Sequence, residues 1–324
     1  MNMFNFFPKS LGFILLFVFL VGDTASGAKY SGEFLELGVS ARSLGMGGAY
    51  TAIAQDASSP FYNPAGLAEV RDRSVMFMHA ETFGSLINHD YLGGVMPVRN
   101  SSAGLGAALI RIGGGNIKIT ELTVDDPNSP YGQRFGYSKT ESHADYTAFL
   151  SYGTKWSKNL QVGLTTKIIY RDIATESAYG LGVDLGVRSR LYKNLWGAAV
   201  LKDATATFLS YSTGTTESIY PNLKLGLAYG FSKSDFIFNL AGDASIKFEH
   251  RDESAQLSVG GASSDFMIGG EVIFRNRIAG RVGAFRGDLT AGAGIKLGRF
   301  TIDAAFLTHD ELDNSYRVNL IGTF

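Results

Sequence analysis

The chain contains no cysteine, only 7 prolines among its 324 residues, and just 18% charged residues. Without cysteine there are no disulfides, no thiol nucleophile and no Cys-ligated zinc. Lys+Arg (29) and Asp+Glu (30) nearly cancel, and no basic tract occurs, so the electrostatic footprint of a nucleic-acid partner is missing. A membrane-spanning helix is missing too, because it needs about 20 apolar residues. The longest apolar run, Leu11 to Val21, has eleven. Lys9 precedes it and Ala25-Ser26-Gly27-Ala28 follows it, which is the layout of a secretory signal peptide over residues 1–28, cleaved near Ala28. Past that point, a membrane role has to come from strands.

Glycine is what the chain has in excess: 40 residues, about 12%, against roughly 7% in an average protein. Many of them sit in stretches of strict alternation, the period-2 signature of strands with two unlike faces. Leu223, Leu225, Leu227, Tyr229 and Phe231 alternate with Lys224, Gly226, Ala228 and Gly230; Tyr179, Leu181, Val183, Leu185 and Val187 alternate with Gly180, Gly182, Asp184, Gly186 and Arg188. The solvated face of a soluble sandwich favours Thr, Lys, Glu and Ser. Gly and Ala there mean that other backbone approaches closely. A membrane barrel accounts for both faces, with large apolar residues toward lipid and the narrow face toward a lumen. The strands are expected at 73–82, 89–99, 102–112, 143–156, 160–172, 179–191, 195–202, 221–232, 235–248, 265–274, 277–285, 289–297, 300–308 and 315–324. That is an all-β fold: a 14-stranded antiparallel transmembrane β-barrel over residues 73–324, even-numbered as bacterial single-chain barrels are. Short connections follow every second strand and mark a periplasmic side. Segments 113–142, 203–220 and 249–264 are expected as extracellular loops, with Gln256 to Gly261 in the last open between a strand extension and a loop hairpin. By this register Gly180, Gly182, Gly186, Gly226, Gly230, Gly292 and Gly294 point inward with Lys167, Asp184, Arg188, Asp243, Lys247, Arg317 and Asn319, and Arg281 is the sharpest test of the later strands.

The last strand carries Tyr316, Val318, Leu320 and Phe324 in one phase. A terminal aromatic in such a strand resembles the signal by which the barrel-assembly machinery recognises its clients. Deleting Phe324 is expected to lower the yield of heat-modifiable, membrane-inserted protein without affecting export; an unchanged yield would refute that role.

Residues 29–72 do not read as barrel strand. Asn63 before Pro64 is a helix opening, since Asn accepts from the free N–H groups of the first turn and Pro lacks one. The segment Ser40-Ala41-Arg42-Ser43-Leu44-Gly45-Met46-Gly47-Gly48-Ala49, together with Tyr62-Asn63-Pro64-Ala65-Gly66-Leu67-Ala68, resembles the PorV/PorQ family within the FadL-like superfamily of outer-membrane proteins. The resemblance is specific over residues 33–68. It implies an N-terminal hatch inside the barrel, with Gly45, Met46, Gly47, Gly48, Asn63, Pro64, Ala65 and Gly66 as its motif, and a location in the outer membrane of a Gram-negative-type bacterium. Two functional branches follow from it. PorV/PorQ-like members are associated with type IX secretion and bind secreted cargo or secretion components; FadL-like members pass long-chain fatty acids or other hydrophobic small molecules. The absence of long amphipathic loop insertions favours the first branch, while Pro127, Pro130, Tyr131, Phe135 and Tyr137 could cap a hydrophobic entrance for the second.

No enzymatic signature stands out, and no cofactor is expected. His79, His89, His143, His250 and His309 fall in no metal-ligand spacing and read mostly as solvated residues at strand ends or in loops. There is no phosphate loop and no nucleophile elbow. Asp125-Asp126 and Asp252-Glu253 read as solvated loop acids, with weak divalent-cation binding as the alternative.

Overall fold

The computed structural model describes residues 32–82, 86–124, 133–174, 176–249, 251, 254–308 and 314–324. The expected signal peptide, Asp125-Asp126, Pro127, Pro130, Tyr131, Asp252-Glu253, His250 and His309 lie outside them. Seventeen strands, β1 to β17, join in one antiparallel sheet. Fourteen of them close a barrel, in which β17 (Ser315–Thr323) returns to pair with β1 (Ser74–Thr82) from Ser74↔Thr323 to Glu81↔Tyr316. Within the membrane band most wall strands follow the alternation of their sequence. Leu150, Ile168, Leu181, Ile268, Val282 and Leu289 stand outward and are each more than half exposed, as are Tyr316, Val318 and Phe324; Leu320 shares that face. Lys167, Asp184, Arg188, Asp243, Lys247, Arg281, Arg317 and Asn319 are all buried on the inside, as the register requires. Closure removes the edges of the fourteen-stranded wall, and an apolar outer face is what a hydrocarbon phase solvates.

Three expectations change in detail. The segment 113–142 is not simply a loop: β3 (Ala103–Val124) and β4 (Gln133–Lys155) run on as a paired hairpin well beyond the 9–11 residues a spanning strand needs. Register shifts at Gly114/Ile117 and Ile119/Thr120 and polar residues on both faces erase the alternation that would have revealed these arms. Phe135 and Tyr137 therefore belong to β4. The segment 203–220 contains β8 (Thr207–Tyr211) and β9 (Thr216–Ile219). β8 resumes the line of β7 (Leu195–Lys202) along β6 (Glu176–Tyr192) after an interruption in which Asp203 and Ala206 take φ of 52° and 55°. Of the alternatives for 249–264, the hairpin forms, with β12 (Leu257–Val259) against the start of β13 (Ala262–Phe274).

The N-terminal residues lie inside the ring. Between Glu33 and Glu69 they form short helical turns, including α1 (Ala41–Gly45) and α2 (Ser59–Tyr62), and a 3-10 turn at Pro64–Glu69. As the sequence implies, the Asn63 side chain accepts from Ala65 N–H at 3.0 Å to open that last turn.

Candidate functional site

Two glycine-lined tracks in the wall receive the two N-terminal motifs. Gly45 to Gly48 press on β13, β14 (Ile278–Phe285) and β15 (Asp288–Leu297). A β-carbon at Gly269 would strike the Met46 carbonyl, one at Gly283 would strike Gly47 N, and one at Gly292 would come within 3.2 Å of Gly45 Cα. Gly47 itself has φ of 63° and donates its N–H to Thr290 Oγ1 at 3.0 Å; Gly48 lies against the Phe285 ring. On the other side, Asn63, Pro64 and Ala65 meet β4, β5 (Leu160–Ile173) and β6. There Gly153 and Gly163 face the Pro64 carbonyl group and Gly186 faces Asn63. Asn63 is wholly buried and donates to the carbonyls of Thr51 (2.9 Å) and Val187 (3.3 Å). Gly66 closes on the Ala54 carbonyl. All eight motif residues thus serve packing and capping contacts.

Charge reinforces the same seating. Glu271 is buried and accepts from Arg42 (Nε 2.9 Å, Nη2 2.7 Å), Arg281 Nε (2.7 Å) and Asn239 Nδ2 (2.8 Å), while Arg281 Nη1 reaches Asp303 at 2.7 Å. Asp243 accepts the N–H groups of Tyr50 and Thr51, both at 2.8 Å. Arg317 donates to the carbonyls of Ser40 and Leu37. Nearer the loop end, Glu36 pairs with Lys224 at 2.9 Å and Glu33 with Lys247. Burial alone would raise the Glu36 carboxyl, but Lys224, Lys247 and Lys202 together hold it well below the usual carboxylate range, so it stays ionised. Burial and the Asp56 carboxylate push the Tyr50 hydroxyl well above its ordinary value despite Arg42, so it remains a donor, to Asp56. A separate buried clamp, Lys167 with Asp184 and Asp203 at 2.8 Å each, holds the interruption between β7 and β8.

Toward the loop end, one part of the lumen is apolar, and it is bordered by charge: Arg171, paired with Asp145, stands 4.8 Å from the Phe34 ring and Lys202 stands 3.9 Å from the Phe61 ring. Leu35, Val39, Phe61, Ile110, Ile112, Phe149, Ile169, Leu209 and Ile219 form one cluster, with Phe34 and Leu37 packed against it. His89 opens into this region, buried, and among the described residues neither ring nitrogen has a hydrogen-bond partner. The expectation of solvated histidines therefore fails for His89; it holds for His79, which bonds Asp90 at 2.7 Å on the outer face. The phase of His89 with Tyr91, Gly93 and Val95 was the available signal.

No family model matches the sequence, and no curated protein matches it either. Solved structures do match. The CymD monoaromatic hydrocarbon channel aligns over 89% of this chain and 98% of its own, with a TM-score of 0.57 at 11% identity. The toluene transporter TodX of Pseudomonas putida aligns over 88% and 97%, with a TM-score of 0.55 at 11% identity. A FadL homologue of Pseudomonas aeruginosa aligns over 88% and 98%, with a TM-score of 0.52 at 11% identity. The fold is FadL-like. At this identity the likeness speaks for the fold alone.

Proposed function

We propose that the chain is an outer-membrane channel through which hydrophobic small molecules pass without energy input, with residues 32–70 as a hatch inside it. The carrying observation is the apolar cluster on one side of the loop-end lumen. Water-filled porins line their interiors with polar groups, whereas here Ile110, Ile112, Phe149, Ile169, Leu209 and Ile219 form an apolar cluster with Phe34, Leu35 and Leu37 beside the charged pairs. A displaced Phe34-Leu35 stretch leaves a surface suited to a hydrocarbon or an acyl chain. The hydrocarbon channels that share the fold support the same reading. Outer-membrane lipid and the barrel-assembly machinery are the partners such a barrel requires, and no reaction is assigned to it.

The second reading, a PorV/PorQ-like component of type IX secretion that binds cargo or secretion proteins, rests on the motif within residues 33–68. The two part on one experiment. Proteoliposomes holding the full chain should take up toluene or a long-chain fatty acid far faster than glucose. Equal leakage of all solutes would refute the channel reading. Loss of selective uptake together with co-purification of a secretion component after gentle extraction would transfer the function to the second reading.

A further inference from the structure

At the short-turn end of the barrel, away from the apolar lumen, lies a cavity of about 580 Å³, a size typical of small-molecule sites. Arg188, Arg190, Lys193, Trp196, Ile53 and Gln55 are among its lining residues. Its electrostatics are unbalanced. Arg188 is buried, yet its guanidinium reaches only neutral acceptors: the Ala52 carbonyl at 2.7 Å, Gln161 Oε1 at 2.9 Å and, in the amide orientation that satisfies both groups, the Gln55 oxygen at 2.8 Å. The same guanidinium stands 3.6 Å from the Trp196 ring centroid and that of Arg190 stands 4.8 Å from it. The two acids in the lining are already engaged. Asp56 takes Tyr50 and Ser58, and Glu69 takes Lys155 at 3.1 Å and Gln161 at 2.7 Å. Among the described residues no carboxylate lies within ion-pair distance of Arg188, Arg190 or Lys193. A buried cation is ordinarily matched by an anion; Glu69 reaches Arg188 only through Gln161, and among the described residues no carboxylate pairs with Arg188 directly.

We infer that this chamber binds an organic carboxylate. Arg190 and Lys193 at the mouth take the carboxylate directly, Arg188 adds its charge from the floor, and the apolar part of the ligand lies against Ile53 and Trp196. An aliphatic or an aromatic acid satisfies this chemistry, and the site does not depend on which solute crosses the lumen.

Trp196 supplies the readout once Trp156, the other tryptophan, is replaced by Phe. Detergent-solubilised full-length W156F protein is titrated with 4-phenylbutyrate, octanoate and 4-phenylbutanol while Trp196 emission is followed. Both acids are expected to give a saturable change that weakens as salt rises, with phenylbutyrate alone saturating if the ligand must be aromatic, and the alcohol is expected to give none. Arg190→Gln with Lys193→Gln, both at exposed positions, should weaken acid binding roughly tenfold, the scale of a lost charge-assisted hydrogen bond. Equal affinity for acid and alcohol, indifference to salt in the parent protein, or unchanged affinity in the double variant would each overturn the site.

Discussion

With Gly32→Cys and Ile219→Cys introduced together, the oxidised protein is expected to lose uptake of hydrophobic solutes down to the level of empty liposomes, and to regain it on reduction. A β-carbon built at Gly32 lies 3.7 Å from Ile219 Cβ, within the spacing a disulfide adopts, about 3.5–4.5 Å. The chain has no cysteine of its own, so no competing bridge forms. The bond would tie the start of the N-terminal residues to β9 at the loop end and hold Phe34, Leu35 and Leu37 in the apolar cluster they now join. A solute that crosses the lumen must displace those side chains; a solute that bypasses it need not. Uptake by the oxidised protein equal to that of the reduced protein would show that the path does not run past Leu35. Mass spectrometry of the free-thiol count confirms the state of the bond in either case.

Glu271→Leu should destabilise the folded protein by about 3–5 kcal/mol, the usual cost of stripping a buried charge of its partner. Glu271 is the shared acceptor of Arg42 from the N-terminal residues, Arg281 from β14 and Asn239 from β11 (Phe236–Lys247). Removing it leaves Arg281 with only Asp303 and Arg42 with Asp56 at 4.0 Å and Tyr50 at 3.4 Å. Urea unfolding in micelles, read with the heat-dependent gel shift, measures the loss. Adding Arg42→Met to Glu271→Leu should recover part of it, because one of the stranded cations is then gone. A single variant as stable as the parent protein, or a double variant less stable than Glu271→Leu alone, would refute the linkage between the N-terminal residues and the wall.

The barrel was legible because closure in a membrane imposes a strict period. Each wall strand must send large apolar residues to one side and small or charged residues to the other, and a one-residue slip would put charge into lipid. Arg281 shows this directly: its phase with Ala279 and Gly283 sends it inward, where it is buried between Glu271 and Asp303. Where that constraint ends, legibility ends as well. Beyond the apolar band, the arms of β3 and β4 carry polar residues on both faces and shift register at Gly114 and Ile119, so their pairing left no periodic trace. The interruption between β7 and β8 depends on two non-glycine residues with positive φ, which composition does not announce.

The site divides in the same way. Inward glycines and inward charges could be read from strand phase, since phase is a property of the neighbouring residues in the chain. Which glycine meets which motif could not, because Gly283 and Gly47, or Gly186 and Asn63, are brought together only when the sheet closes around residues 32–70. By itself the sequence determined the number of wall strands, their facing and a glycine excess reserved for close backbone approach. Only the tertiary structure decided that Gly45–Gly48 and Asn63–Ala65 seat on opposite tracks, that among the described residues His89 stands buried without a hydrogen-bond partner, and that Arg188 is buried with neutral groups as its direct hydrogen-bond acceptors. The physical reason is that pairing a charge or fitting a β-carbon depends on distances across the barrel, which no local pattern encodes.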